Sequence, residues 1–97
     1  MHYLRLYAGP DGESHFEEVA VELHPADYIP GWPLIDLSAP HAATGVFFAS
    51  VAAGLYAGGH PPPRRILVVT LGGELEVTVS DGEVRRVGPG VALLLED

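Results

Sequence analysis

The stretch Arg65-Ile-Leu-Val-Val-Thr-Leu71, Gly72-Gly73, Glu74-Leu-Glu-Val-Thr-Val-Ser80, Asp81-Gly82, Glu83-Val-Arg-Arg-Val87, Gly88-Pro89-Gly90, Val91-Ala-Leu-Leu-Leu95 decides the fold class. Short runs rich in valine, leucine and threonine alternate with clusters of glycine, proline and aspartate, the pattern of strands separated by tight turns. Asp-Gly is among the strongest short-range hairpin signals, because both residues tolerate the left-handed backbone that such turns demand. Residues 65–95 are therefore expected to form a β-meander.

Two-residue turns would set Leu71 opposite Glu74 and Thr70 opposite Leu75, with side chains alternating between the sheet faces. One face then carries Ile66, Val68, Thr70, Leu75, Val77 and Val79, and the other Leu67, Val69, Leu71, Glu74, Glu76 and Thr78. The first run is apolar on both sides, so Leu67, Val69 and Leu71 call for a cover, either a loop or a second subunit. Continuing across Asp81-Gly82 pairs Val79 with Val84 and sets Arg86 opposite Val77. A β-bulge between Val84 and Val87 that turns Arg86 outward is favoured, because an unpaired buried guanidinium is costly.

Working outward, residues 3–7 and 15–23 alternate as strands, the second with Val19, Val21 and Leu23 on one face. Gly9-Pro10-Asp11-Gly12 between them is turn chemistry. Residues 25–40 carry Pro25, Pro30, Pro33 and Pro40 with Gly31, which excludes a helix interior and a central strand. Tyr28, Ile29, Trp32, Leu34, Ile35 and Leu37 make the same segment too apolar for a disordered linker, so it reads as an ordered covering loop with Tyr28 and Trp32 packed beneath it. Residues 44–56, with Gly45, Phe47-Phe48 and Gly54, read as one more strand.

Ninety-seven residues fit a single domain, 1–97, with a modest core. The chain has no cysteine, which excludes disulfides, thiolate metal sites and a cysteine nucleophile. Its five positive charges are all arginine against thirteen acids, and a net charge of −8 repels phosphate backbones, so nucleic acid is not an expected partner. Met1-His2-Tyr3-Leu4-Arg5 has neither the basic nor the apolar region of a signal peptide, and no apolar run approaches the ~20 residues of a membrane span. A soluble, cytoplasmic protein with no membrane partner is the expectation.

The region around residue 60 resembles the first conserved motif of the cupin superfamily, which runs Gly, five residues, His, one, His, three or four, Glu, six, Gly. Here the positions fall on Gly54, His60, Pro62, Ile66 and Gly73. The spacing is kept while two ligand positions hold proline and isoleucine, which cannot coordinate a cation. The second cupin motif would begin at Gly90, with Glu96 where its proline belongs and its histidine beyond Asp97. Pro25-Ala-Asp-Tyr28, Leu37-Ser-Ala-Pro40, His60 to Arg65, Leu71-Gly-Gly-Glu74, Gly88-Pro-Gly90 and Leu95-Glu-Asp97 are similar to a group of small bacterial cupin-domain proteins. The resemblance implies an all-β, cupin-like barrel of the jelly-roll type, shortened at its C-terminal end, with a pocket lined by His60, Arg64, Ile66, Val68, Leu75 and Val77.

His60 reads first as a pocket-wall histidine. It is also the best candidate general base, since imidazole titrates near neutral pH and the adjacent prolines hold it rigidly. Arg64, on the same side as His60 by alternation, would make a carboxylate-binding corner, or else belongs to the rim and pairs with surface acids. No metal is expected; Fe, Mn, Ni or Zn on His60 with His41 or a carboxylate is the lesser reading. The leading expectation is thus a binding module, or a metal-independent enzyme, for a small, mainly apolar organic molecule. Its alternatives are a metal-dependent cupin enzyme and a structural domain completed by a partner. The run Val91–Leu95 would sit near a sheet edge and invite pairing with another chain, so a homodimer is expected. No phosphate loop, paired-histidine helix, serine elbow or EF-hand pattern is present, and Ser14-His15 and Asp36-Leu37-Ser38 are too sparse for a triad.

Overall fold

The computed structural model of the protein describes residues 1–54 and 64–96, and its regular structure is β-strand with no helix among those residues. Accordingly, no helix among the described residues is long and apolar enough to cross a membrane. The chain falls into two compact units, Met1–Ala20 with Gly59–Asp97, and Val21–Gly58.

In the first unit β1 (His2–Ala8) and β2 (Ser14–Ala20) form an antiparallel hairpin in which Leu6 lies opposite Phe16 and Leu4 opposite Glu18. Then come β5 (Ile66–Val69), β6 (Leu75–Thr78), β7 (Val84–Val87) and β8 (Ala92–Leu95). Two of these join the hairpin in a four-stranded sheet of order β2-β1-β8-β5, in which β8 runs parallel to β1 and antiparallel to β5. The other two, β6 and β7, pair with each other in a separate sheet. Among the described residues the sheets are open.

The strands of the expected meander occur where their composition placed them, but they pair otherwise. Instead of pairing with β6 through a Gly72-Gly73 turn, β5 pairs with β8, Ile66 opposite Leu95 and Val68 opposite Leu93. Both strands are continuously apolar, so each buries more beside the other than β5 would beside the acid-bearing β6. Pairs in the outer ladder sum to residue number 161 (66 with 95) and those in the inner ladder to 162 (75 with 87). Residues 66–95 are therefore one long ribbon, folded over on itself so that its two halves lie in two sheets. The fold comes at two neighbouring corners: a Cβ on Gly88 would stand 3.7 Å from the Gly73 carbonyl oxygen. Gly73 (φ 74°) and Gly90 (φ 91°) take left-handed backbone there, which glycine adopts without a steric cost.

A second correction concerns the Asp81-Gly82 hairpin. Gly82 N donates to the Val79 carbonyl at 3.0 Å and Val79 N to the Glu83 carbonyl at 3.0 Å, so the loop is three residues, Ser80-Asp81-Gly82. Glycine in left-handed conformation (φ 94°) supplies the extra residue as a bulge inside the turn. The register moves by one: Thr78 faces Val84, Val77 faces Arg85 and Glu76 faces Arg86. Arg86 is thereby turned outward with no bulge between Val84 and Val87, and Arg85 takes the inward-facing place.

Leu4, Leu6, Val79, Val87 and Leu93 form the core, with Phe16, Val68, Val77 and Leu95 packed against them. On β2 it is Phe16, not Val19, that reaches this core. The expected face assignment holds for most of 66–79, because a corner preserves alternation as a hairpin would: Val68, Val77 and Val79 turn inward while Leu67, Val69 and Leu71 are exposed, but Leu75, expected inside, is exposed. The expectation that Val91–Leu95 forms an edge is overturned, since β8 lies between β1 and β5.

The second unit contains the short pair β3 (His24–Ala26) and β4 (Ile35–Leu37). Between them Trp32 N donates to the Ile29 carbonyl at 3.0 Å, across Pro30 and a left-handed Gly31. The loop expected at 25–40 is thus ordered around a small hairpin, but Tyr28 and Trp32 are exposed rather than packed beneath it. No strand forms over the described part of 44–56, and Val46, Phe47 and Phe48 are exposed. The run between Gly45 and Gly54 finds no ladder partner among the described residues, and strand-favouring valine and phenylalanine do not make a strand without one.

Candidate functional site

Three charged clusters stand on the first unit. The first borders a cleft of about 310 Å³ lined by His2, Tyr3 and Leu4 of β1, Glu18 of β2, Arg85 and Arg86 of β7, and Val91. Leu4 and Val91 are the aliphatic part of that lining. The one-residue register shift brings Arg85 here, since it places the guanidinium on the inward side of β7. Arg85 Nε donates to Glu83, its Nη1 lies 3.5 Å from Glu18, and its guanidinium carbon lies 5.9 Å from the Phe16 ring centre. The hydrogen bond that Arg85 donates to Glu83 is the main reason its pKa stands above the ordinary arginine value. Arg86 is held more loosely, 3.8 Å from Glu74 and 3.9 Å from Glu76, beyond hydrogen-bond length, so its donors remain available to an incoming anion.

The second cluster runs across the outer face of the four-stranded sheet. Arg5 stacks over Tyr7, 4.3 Å from the ring centre, and donates to Glu17 at 2.9 Å and to Glu96 at 2.8 Å. Arg65 reaches Glu96 from β5's end at 3.6 Å. The Arg5 hydrogen bond lowers the Glu96 pKa, and Glu96 N donates to the Leu6 carbonyl at 2.9 Å, fastening the end of β8.

The third cluster joins two turns. Gly9 N donates to the Glu13 carbonyl and Gly12 N to the Gly9 carbonyl, repeating the geometry at Val79, Gly82 and Glu83. In each turn an aspartate accepts from the backbone two residues on, Asp11 from Glu13 N at 3.0 Å and Asp81 from Glu83 N at 2.8 Å. His15 lies between the two aspartates, with Nδ1 2.8 Å from Asp81 and Nε2 2.9 Å from Asp11. The sequence reading passed over this group. Its available signal was the repeated Asp-Gly-Glu at 11–13 and 81–83.

Of the residues expected to line a pocket, Val68 and Val77 come together against the core and Ile66 is half-buried. Leu75 is 37% exposed and Arg64 is exposed. His60 and Pro62 lie outside the described residues. Among the described residues no three histidine, aspartate or glutamate side chains are placed to hold a metal ion. In the His15 cluster both ring nitrogens already face carboxylates. Proline and isoleucine, at 62 and 66, carry no side-chain group that can donate to a cation.

No protein-family model, curated protein or solved structure matches the chain.

Proposed function

We propose that this chain is a binding module of the cupin kind for a small organic molecule with an apolar body and one acidic group, needing no metal. Two features support the reading. The folded ribbon of residues 66–95, with β5–β8 outside and β6–β7 inside, is the manner in which a jelly roll wraps a long hairpin into two sheets. The observation that carries the functional part is the cleft beside β7, whose lining combines Arg85 and Arg86 with the apolar Leu4 and Val91. Convergent polar groups beside apolar side chains in a concave site fix the orientation of a small ligand. Arg85, tied to Glu83 and Glu18, shapes the wall, and Arg86 would take the carboxylate.

Titration with phenylacetate, monitored by backbone amide shifts, tests this. Shifts at Tyr3, Arg86 and Val91 that vanish with phenylacetamide and in Arg86→Ala are expected; equal responses to acid and amide would sink the anion site. Elemental analysis of tag-free protein addresses the metal. Stoichiometric Fe, Mn, Ni or Zn that disappears in His60→Ala would overturn the metal-free reading.

A further inference from the structure

Two charged residues break the apolar rhythm of the inner faces. Directly opposed residues in a ladder share a face, so Glu18, opposite Leu4, lies on the same side of the four-stranded sheet as the core residues Leu4, Leu6 and Phe16. Arg85 stands two positions before the fully buried Val87 and so on the inner side of β7. A charge at a core-facing position departs from the packing pattern, and such departures concentrate at functional sites. The two side chains meet at the cleft, with Arg85 Nη1 3.5 Å from Glu18. That is longer than the ~2.7–2.9 Å of a charge-assisted hydrogen bond. Arg85 is already committed through Nε to Glu83, and among the described residues it is the sole charged partner of Glu18. The Glu18 side chain is 66% exposed, so its carboxylate keeps acceptor sites open to a donor in the cleft.

The charge balance around the cleft points the same way. Four glutamates stand within 4 Å of its two arginines, Glu18 and Glu83 at Arg85, Glu74 and Glu76 at Arg86. Two positive charges against four negative leave a local excess of acid, on a chain whose net charge is already −8. A ligand carrying only a carboxylate meets repulsion from these acids as well as attraction from Arg86. An ammonium group beside the carboxylate offsets that repulsion and gives Glu18 a donor. We infer that the cleft takes a zwitterion, an α-amino acid with an apolar side chain, its ammonium group held by Glu18 and its carboxylate by Arg86. The inference rests on the proposed reading of the cleft as a site for an apolar acid, and it adds Glu18 as the residue that sets specificity.

Titration of the full chain with L-phenylalanine, phenylacetate and phenethylamine, followed by backbone amide shifts, is the test. Phenylalanine is expected to bind about threefold or more tighter than either of the others, the scale of one partly exposed ion pair. In Glu18→Gln its advantage over phenylacetate should vanish. Because Glu18 is exposed and glutamine keeps its shape, far-UV circular dichroism should show an unchanged fold in that variant. Phenylacetate binding as tightly as phenylalanine or more so, or a preference for phenylalanine that survives Glu18→Gln, would overturn the role of Glu18 and leave the anion site standing. Phenethylamine binding as tightly as phenylalanine, or no binding by any of the three, would overturn the anion site and the zwitterion with it.

Discussion

His15 stands 2.8 Å from Asp81, a residue 66 positions away, and fastens the turn of the β6–β7 ribbon to the turn of the β1–β2 hairpin. Its other ring nitrogen faces Asp11 at 2.9 Å. Two carboxylate acceptors can be satisfied together only by an imidazolium, which donates from both nitrogens. A second tie runs beside it, from Ser14 N to the Ser80 hydroxyl at 2.6 Å. Since the two turns belong to different sheets, these contacts close one end of the first unit.

Stability should therefore fall as pH rises through neutrality. Hydrogen bonds to Asp11 and then to Asp81 raise the His15 pKa above its ordinary 6.5. The contribution is complete below 6.5 and is lost as pH climbs through the raised value. The charged neighbours around the ring, Asp11 and Asp81 with Glu13 and Glu83 in the same turns, are all acidic, so none opposes the proton. Asp11 and Asp81 are lowered, chiefly by the backbone donors Glu13 N and Glu83 N, so their share persists above their ordinary 3.8 and fails only in stronger acid. Thermal midpoints of the wild type and His15→Gln, measured from pH 5 to 9, should differ most at the acidic end and converge at the alkaline end. A constant difference would remove the imidazolium from the account.

Gly9 offers an independent handle on the same contact. A Cβ there would meet the His15 ring at 2.8 Å and Asp11 Oδ1 at 2.9 Å, while the Gly9 backbone is not left-handed. Gly9→Ala should consequently act by displacing the ring, not by straining the chain. The expected result is a His15 pKa, read by NMR titration, that moves back toward 6.5.

At Gly73 the opposite holds. Its φ of 74° penalises any side chain, although nothing lies within 4 Å of the position a Cβ would take. Gly73→Ala should cost about 1–2 kcal/mol in denaturant unfolding, the usual penalty for an L-residue in left-handed backbone. Gly88→Ala, whose new methyl would meet the Gly73 carbonyl at an ordinary 3.7 Å and whose φ is not left-handed, should be nearly neutral.

The contrast between these two glycines also marks how far the sequence could be read. Strand positions along 66–95, and the inner and outer faces of Val68 to Val79, were legible because alternation is local, and it survives whether Gly72-Gly73 makes a turn or a corner. Partner choice was not legible, because β5 and β8 meet across more than twenty positions for the sake of apolar area that no local pattern records. The single residue that Gly82 adds to its turn was hidden for a related reason. Asp-Gly suits two-residue and three-residue loops alike, and only the ladder shows which one formed. The Arg86 side of the cleft depends on that residue. The cluster at His15 depends on two distant turns coming together, which leaves no trace but a repeated tripeptide.

The core should show the same division of faces energetically. Leu93 is 2% exposed beside Leu4 and Val68, whereas Leu67, on the neighbouring strand, faces outward. Leu93→Ala should destabilise by about 2–5 kcal/mol, enough to unfold so small a core outright, and Leu67→Ala should change unfolding free energy by less than about 0.5 kcal/mol. Similar costs at the two sites would mean that the inner and outer faces of β5 and β8 are wrongly assigned.

Thr70, just past β5, carries the one polar side-chain atom among the described residues that is buried with no hydrogen-bond partner. Burying a hydroxyl without a partner forfeits its hydration and returns nothing, whereas a methyl group of similar size has no hydration to lose. Thr70→Val should therefore stabilise the protein by about 1 kcal/mol, seen as a higher denaturant midpoint with an unchanged slope. Valine keeps the branched shape that the strand end accepts, so packing should be little disturbed. A loss of stability would instead show that the hydroxyl is hydrogen-bonded in solution, by a water or by a ligand reaching the corner beside Gly72.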